Sequence, residues 1–211
     1  SYPTVDNVKK SQLISGRRIP TQTITTMTDQ IQKSFIQTKQ FIDGHANYPT
    51  KSGIYAFYLS DNSHLLDFGK SGQILYIGIA KDSLHDRDFN QHFKTNKTGS
   101  STLRRSVGAI LKTQLNLTAI RRGAENDKNR FENYKFKDDQ PLTDWMIANL
   151  QIGYWVPKNS LTYSELREIE KNVTIDLKPT LDLDIRTRRF NIFADKLVAL
   201  RNICKIEAGK K

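Results

Sequence analysis

Cysteine is almost missing from this chain: Cys204 is the only one in 211 residues. An intramolecular disulfide is therefore impossible, and a thiolate zinc centre cannot be assembled. Histidine is sparse too, with four residues at positions 45, 64, 85 and 92, so a hard metal ion has to be held by carboxylate and water. No apolar run approaches the roughly 18 residues a membrane span needs, and no basic segment leads into an apolar one at the start of the sequence. The expectation is an intracellular protein, cytoplasmic or nucleoid-associated, with no membrane partner. Internal repeats and low-complexity tracts are also lacking. At 37% hydrophobic, the length fits one compact domain with at most a small appendage.

Acidic residues are in short supply relative to basic ones. Thirty-three Lys and Arg stand against twenty-two Asp and Glu, a formal charge of +11. A surplus of that sign raises the local concentration of a polyanion, which favours nucleic acid over acidic proteins or membrane surfaces as the partner.

Residues 1–48 read as an N-terminal arm, with Arg17-Arg18 before Pro20, followed by a helix from Thr28 to about Ile42 carrying Ile31, Phe35 and Phe41. Gly44 and Pro49 break the chain ahead of two β-rich runs, one around Ile54–Leu59 and one at Ile74–Ile77. Period-2 geometry puts Tyr55 and Phe57 on one face, and Leu75 and Ile77 opposite to Tyr76, so paired strands bring both tyrosines to one pocket. Ser101 or Thr102 caps a helix with Leu103, Val107, Ile110 and Leu111 on one side and Arg104, Arg105 and Lys112 toward solvent or ligand. The stretch from Arg121 to Gln140 interleaves Phe131, Tyr134 and Phe136 with charge, including Arg121, Arg122, Arg130 and Lys135. It reads either as a solvated loop or as an insert that holds phosphates and stacks on a base. A short helix around Leu142, Trp145 and Met146 and a strand over Leu150–Val156 follow. Thr162 and Glu165 then have capping-box spacing before a helix with Leu166, Ile169, Val173 and Leu177 on one stripe, ending ahead of Pro179. A basic cluster, Arg186, Arg188 and Arg189, precedes a last helix with Phe193, Leu197 and Leu200.

Five side chains supply chemistry. Glu170 lies one residue past core position Ile169, roughly 100° round its helix, where a carboxylate at the margin of the buried stripe can meet a hydrated divalent cation. Arg87 can bind phosphate oxygens and oppose charge that builds on a pentacovalent transition state. His92 can position a tyrosine, contact phosphate or transfer a proton, with His85 as its competitor. Tyr55 and Tyr76 are poor bases with an ordinary phenol pKa near 10, which a nearby cation would lower. Gly78 can mark a strand end or let a phosphate backbone approach closely.

The tripeptides Gly53-Ile54-Tyr55 and Tyr76-Ile77-Gly78 resemble the namesake motifs of the GIY-YIG nuclease superfamily, which includes repair incision subunits, homing endonucleases and restriction enzymes. The resemblance extends over about 53–182. It matches the family arginine to Arg87, the histidine to His92 and the metal-binding glutamate to Glu170, with Asp182 standing where an asparagine is usual. His92 follows Arg87 by five residues rather than four, and Tyr55 and Tyr76 are farther apart than in compact members. The resemblance implies an α/β fold, a small mixed β-sheet flanked by helices, with N-terminal, internal and C-terminal elaborations. The core is expected at 49–182, with an insertion around 121–156, and a basic extension at 183–211 packs on it. It further implies a Mg2+-dependent enzyme, Mn2+ being an alternative ion, that cuts double-stranded DNA to 5'-phosphate and 3'-hydroxyl ends. A restriction enzyme, and so a homodimer, is one expectation; a repair or recombination nuclease or a non-catalytic DNA-binding module on the same scaffold are the others.

Overall fold

The computed structural model describes residues 26–42, 48–123 and 133–209. The N-terminal arm with Arg17-Arg18, and Arg130 with Phe131 of the charged stretch, lie outside the described residues. In chain order the elements are α1 (Met27–Thr38), β1 (Gln40–Phe41), β2 (Gly53–Leu59), β3 (Ile74–Ala80), α2 (Leu84–Arg87), α3 (Thr102–Ile110), β4 (Ala119–Arg121), β5 (Tyr134–Phe136), α4 (Gln140–Asn149), β6 (Leu150–Trp155), α5 (Tyr163–Leu177) and α6 (Ala194–Gly209). A π-helical turn, Asp88–His92, continues directly from α2.

The main sheet has the order β1-β6-β2-β3, and β4 pairs with β5 in a separate ribbon. The fold is the expected small sheet flanked by helices, but every strand pair in it runs antiparallel. The parallel pair that a mixed sheet requires is absent among the described residues. The segment expected as an insertion, 121–156, contributes a strand to the main sheet. Its end forms β6, an inner strand paired with β2 from Ile54 opposite Trp155 to Leu59 opposite Leu150, and so belongs to the sheet itself.

Alternation along β2 explains the layering. Ile54, Ala56 and Tyr58 point to one face and pack with Ile31 and Phe35 of α1 and Leu166 and Val173 of α5. Tyr55, Phe57 and Leu59 point to the other face, against Leu103 and Val107 of α3, Leu142 and Met146 of α4 and Leu197 of α6. All seven residues of β2 are buried, as an inner strand covered on both sides requires. Helix α1 stops sooner than its apolar spacing suggests. Lys39 turns extended at its C-cap, and Phe41 joins β1 at 43% exposure instead of extending the buried stripe.

The late helix ends where its sequence says it should. Thr162 and Glu165 form a reciprocal capping box at the start of α5, and Lys178 closes it in the left-handed region (φ 48°) before Pro179. The chain then runs along the outer edge of β3, with Leu181 N–H donating to the Leu75 carbonyl at 2.8 Å. This covers an edge strand that would otherwise present unpaired backbone groups.

Candidate active site

Tyr55 and Tyr76 stand on the same sheet face, as their spacing predicts. Tyr55 is opposite Gly78 and Tyr76 opposite Phe57, and the two phenol rings stack with centroids 6.3 Å apart. Gly78 makes this possible. A Cβ at that position would fall on the phenol oxygen and ring of Tyr55, so the space is filled by the tyrosine of the first tripeptide. The expectation that Gly78 admits a phosphate backbone is corrected accordingly: its bare face receives Tyr55.

The Tyr55 hydroxyl is 2.8 Å from His92 Nε2, and Arg87 Nε donates to it at 3.3 Å. His92 Nδ1 lies 2.8 Å from the hydroxyl of Ser101, which also caps α3 by accepting the Arg104 N–H. Burial first, and then the charges of Arg87 and Arg104, hold the His92 pKa well below its ordinary value, so the ring is neutral. In the tautomer with its proton on Nδ1, the neutral ring donates to Ser101 and Nε2 accepts the phenol proton of Tyr55. His85, by contrast, pairs with Asp86 at 3.6 Å and packs on Phe89.

The five-residue step from Arg87 to His92 is absorbed by the π-helical turn. Phe93 N–H donates to the Asp88 carbonyl at 3.1 Å, a bond spanning five residues, and the wider turn returns His92 to the side of Arg87. The expected α-helix through His92 is therefore an α-turn followed by a π-turn, because an ordinary helical pitch would rotate a residue five positions on by roughly 140°.

Glu170 comes from α5, which packs on the opposite face of the sheet. Its carboxylate nevertheless lines a cavity of about 190 Å3 together with Tyr76, Ile77, Thr102, Asp182, Leu183 and Asp184. This follows from β3 being an outer strand: the side chain reaches round the edge that Tyr76 and Ile77 form. Burial, only partly offset by the hydrogen bond from Arg186, pushes the Glu170 pKa up to about 7. Tyr76 feels both sides of the cleft. Burial raises its pKa to about 12, Arg87 acts to lower it, and Glu170, Asp182 and Asp184 raise it further. For Tyr55, burial outweighs the Arg87 guanidinium and the pKa again lies well above the ordinary value. Neither phenol is a standing phenolate; a neighbouring cation does not overcome desolvation here.

Among the described residues no group of three or more His, Cys, Asp or Glu side chains could cage a metal ion. The chemistry of the cavity nonetheless fits a hydrated hard cation. Its polar side chains, from Tyr76, Thr102, Glu170, Asp182 and Asp184, offer oxygen only, and magnesium keeps most of its waters on one or two carboxylates.

The basic residues divide by environment. Arg104 was expected to face solvent or ligand, and the structure overturns this. It is fully buried, pairs with Asp139 at 3.0 Å, and donates to the His92 carbonyl at 3.0 Å and to Thr143 Oγ1 at 2.8 Å. Helix α3 is enclosed on nearly all sides by α4, α6 and the 98–100 turn, so a cation on its supposed outer face has to find an internal partner. Arg105 is likewise buried, on the Thr98 and Gly99 carbonyls at 3.3 and 2.5 Å. Lys112 pairs with Glu207 at 3.0 Å, and Arg121 donates to the Ala208 and Gly209 carbonyls at the end of α6. Arg122 lies half-buried against Gly99, whereas Lys135, Arg188 and Arg189 are exposed. Arg186 is engaged with Glu170 and Asp184 at 2.8 and 2.9 Å. Ser101 and Asp139 join Arg104 in holding His92 from behind, and neither is marked as a site residue by the sequence. Only the capping role of Ser101 was readable from spacing.

An antiparallel sheet with helices on both faces, bearing two tyrosines on the β2–β3 pair, a His and an Arg packed against them and a carboxylate at the β3 edge, defines an α/β protein of nuclease type. The chain belongs to the GIY-YIG catalytic domain family, whose model matches residues 45–203. At the level of the family, this makes it a nuclease-like hydrolase with DNA as the implied partner. No curated protein matches the chain, and no solved structure does. No helix among the described residues is long and apolar enough to cross a membrane.

Proposed function

We propose that this protein is a divalent-metal-dependent DNA endonuclease that hydrolyses phosphodiester bonds to 5'-phosphate and 3'-hydroxyl ends. The observation that carries the reading is a chain of contacts: Arg87 donates to the Tyr55 phenol, Tyr55 stacks on Tyr76, and Tyr76 lines one cavity with the Glu170 carboxylate. Glu170 would hold the ion, with water completing the coordination; magnesium bound there would polarise the phosphate and ease departure of the 3' oxygen. Arg87 opposes the charge that grows on the phosphoryl oxygens. Tyr76, half-buried on the cavity wall, orients the attacking water and the phosphate.

Tyr55 is the phenol with an outlet for a proton. Tyr55 is fully buried behind Tyr76, so water reaching its oxygen through the cleft would give up a proton there as the phenol passes its own over 2.8 Å to His92 Nε2, a transfer that the lowered His92 pKa makes uphill. Exposed Lys135 and Arg189, together with Arg188, which pairs at the surface with Asp195 at 3.7 Å, would be among the residues that hold the DNA backbone outside the cleft.

Supercoiled DNA incubated with the protein and Mg2+ should be nicked or linearised, with ends that a ligase rejoins directly. Glu170→Ala should abolish cutting while duplex binding in EDTA persists. Binding by the native protein with no cleavage under any divalent ion would leave only a DNA-binding module. Discrete fragments from ordinary duplex would identify a restriction-type enzyme, whereas a requirement for a lesion or branch would identify a repair nuclease.

A further inference from the structure

We infer that Arg186 is a positioning residue for the Glu170 carboxylate and not a contact to the DNA backbone. The inference rests on the proposed metal-ion role of Glu170 and extends it to a residue outside the family motifs. All three guanidinium nitrogens of Arg186 are engaged. Nη2 donates to Glu170 Oε2 at 2.8 Å and to Asp184 Oδ2 at 2.9 Å, Nε to Asp184 Oδ1 at 2.9 Å, and Nη1 to the Arg167 carbonyl at 3.2 Å. A phosphate would have to break this set to reach it. Its neighbours Arg188 and Arg189 face solvent, while the Arg186 side chain is 23% exposed.

The partners have a common geometry. Arg167 lies one turn before Glu170 on α5, so a single guanidinium grips both the backbone of the turn that carries the carboxylate and the carboxylate itself. The other end of the grip is rigid. Thr187 Oγ1 donates to Asp182 Oδ2 at 2.6 Å, Arg188 N–H to the Asp184 carbonyl at 2.7 Å, and the Asn191 amide to the Thr180 and Asp182 carbonyls. Through Leu181 the same segment is hydrogen-bonded to β3, the strand of Tyr76. Arg186 thus fixes the distance between a carboxylate on one face of the sheet and a phenol on the other. It occupies Oε2, leaving Oε1 for a hydrated cation, and a planar guanidinium can bridge two carboxylates in this way where an ammonium cannot.

Partners that orient a metal-binding side chain from behind typically change metal affinity by about 10–100-fold when removed. The test uses the full chain and Mn2+ alone, followed by water proton relaxation enhancement, with Glu170→Gln defining the signal that belongs to this site. Arg186→Gln should weaken Mn2+ binding by about 10–100-fold and Arg186→Lys should restore part of it. In EDTA, duplex affinity and its salt dependence should be the same for native protein and both variants. A thermal melt on each variant shows that it is folded, and Arg186→Lys, which keeps the charge, supplies a second reading where Arg186→Gln melts early.

Three results would overturn the inference. Unchanged Mn2+ binding with a salt slope reduced by about one would make Arg186 a phosphate contact. Tighter Mn2+ binding in Arg186→Gln would make it a competitor for the carboxylate. Either result leaves the nuclease reading standing, whereas native protein with no Mn2+ signal sensitive to Glu170→Gln and no cleavage would remove the nuclease reading along with the inference.

Discussion

At the scale of single residues, the site is organised by where protons are held. His92 is buried and neutral, and if it takes the Tyr55 proton as proposed, its removal should lower kcat by about 10²–10⁴ in His92→Ala, the usual contribution of a positioned base. If Tyr55 and His92 form one relay, combining His92→Ala with Tyr55→Phe should cost little more than either alone, a non-additivity visible in a double-mutant cycle of nicking rates. Tyr76→Phe lies outside that relay and should add to it. Gly78 is the other single-residue dependency. In Gly78→Ala the added methyl meets the Tyr55 phenol, so we expect a loss of about 1–3 kcal/mol in urea unfolding together with a fall in activity. The two tripeptides, Arg87 and Glu170 were legible because their chemistry is local in sequence. Arg104 was not: nothing in the order Leu103-Arg104-Arg105 reveals that α3 would be enclosed, and an arginine with a partner 35 residues away, Asp139, looks like any surface arginine.

At the scale of elements, α2 with its π-turn and the turn after α5 position the side chains of the proposed site. A π-turn has no composition signature, so the sequence shows an irregular Arg-to-His spacing without showing what absorbs it. Deleting Asn90, which restores the four-residue step, tests this. If the π-turn relaxes to α-helix, the Tyr55–His92 hydrogen bond is kept and activity survives, and activity alongside helix content reads this out. The buried support behind His92 is also an element-scale property with a pH signature. For Asp139, burial opposes ionisation, but hydrogen bonds from Thr98 and Asn96 and the charge of Arg104 hold the pKa below the ordinary aspartate value. Its folded pKa is depressed, so its stabilisation is complete above the unfolded value and is lost as pH falls through the folded one. His92 acts in the same direction through the opposite charge. The folded ring refuses a proton that the unfolded ring accepts, so stability falls as pH drops below about 6.5. Urea midpoints should therefore decline from neutrality downward in two stages, with the first stage missing in a His92→Gln variant.

At the scale of the whole molecule, most of the helices and both motif strands follow from apolar period and capping residues; the capping box at Thr162 and the stop before Pro179 are examples. The sheet order does not follow in the same way. Strand β6 enters between β1 and β2 because β2, buried on both faces, needs a partner on the edge away from β3, a demand that only the assembled layers impose. Charge behaves similarly. The surplus of +11 is a property of the whole chain, yet Arg104 and Arg105 of α3 are buried on internal partners, so the salt dependence of DNA binding should be shallower than a count of basic residues suggests. Replacing Arg188 and Arg189 together by Gln should reduce that slope by about two, and Arg104→Gln should leave it unchanged while destabilising the fold by about 3–5 kcal/mol.

The acid that would bind the ion and the phenols it must serve belong to different layers, joined only where Glu170 leans round the rim of β3. Catalytic competence is then hostage to how firmly the α1–α5 layer stays seated. Trimming a side chain such as Phe35 or Val173, far from any substrate, would loosen that seat and make cutting fade on mild warming while the strands bearing both tyrosines remained intact.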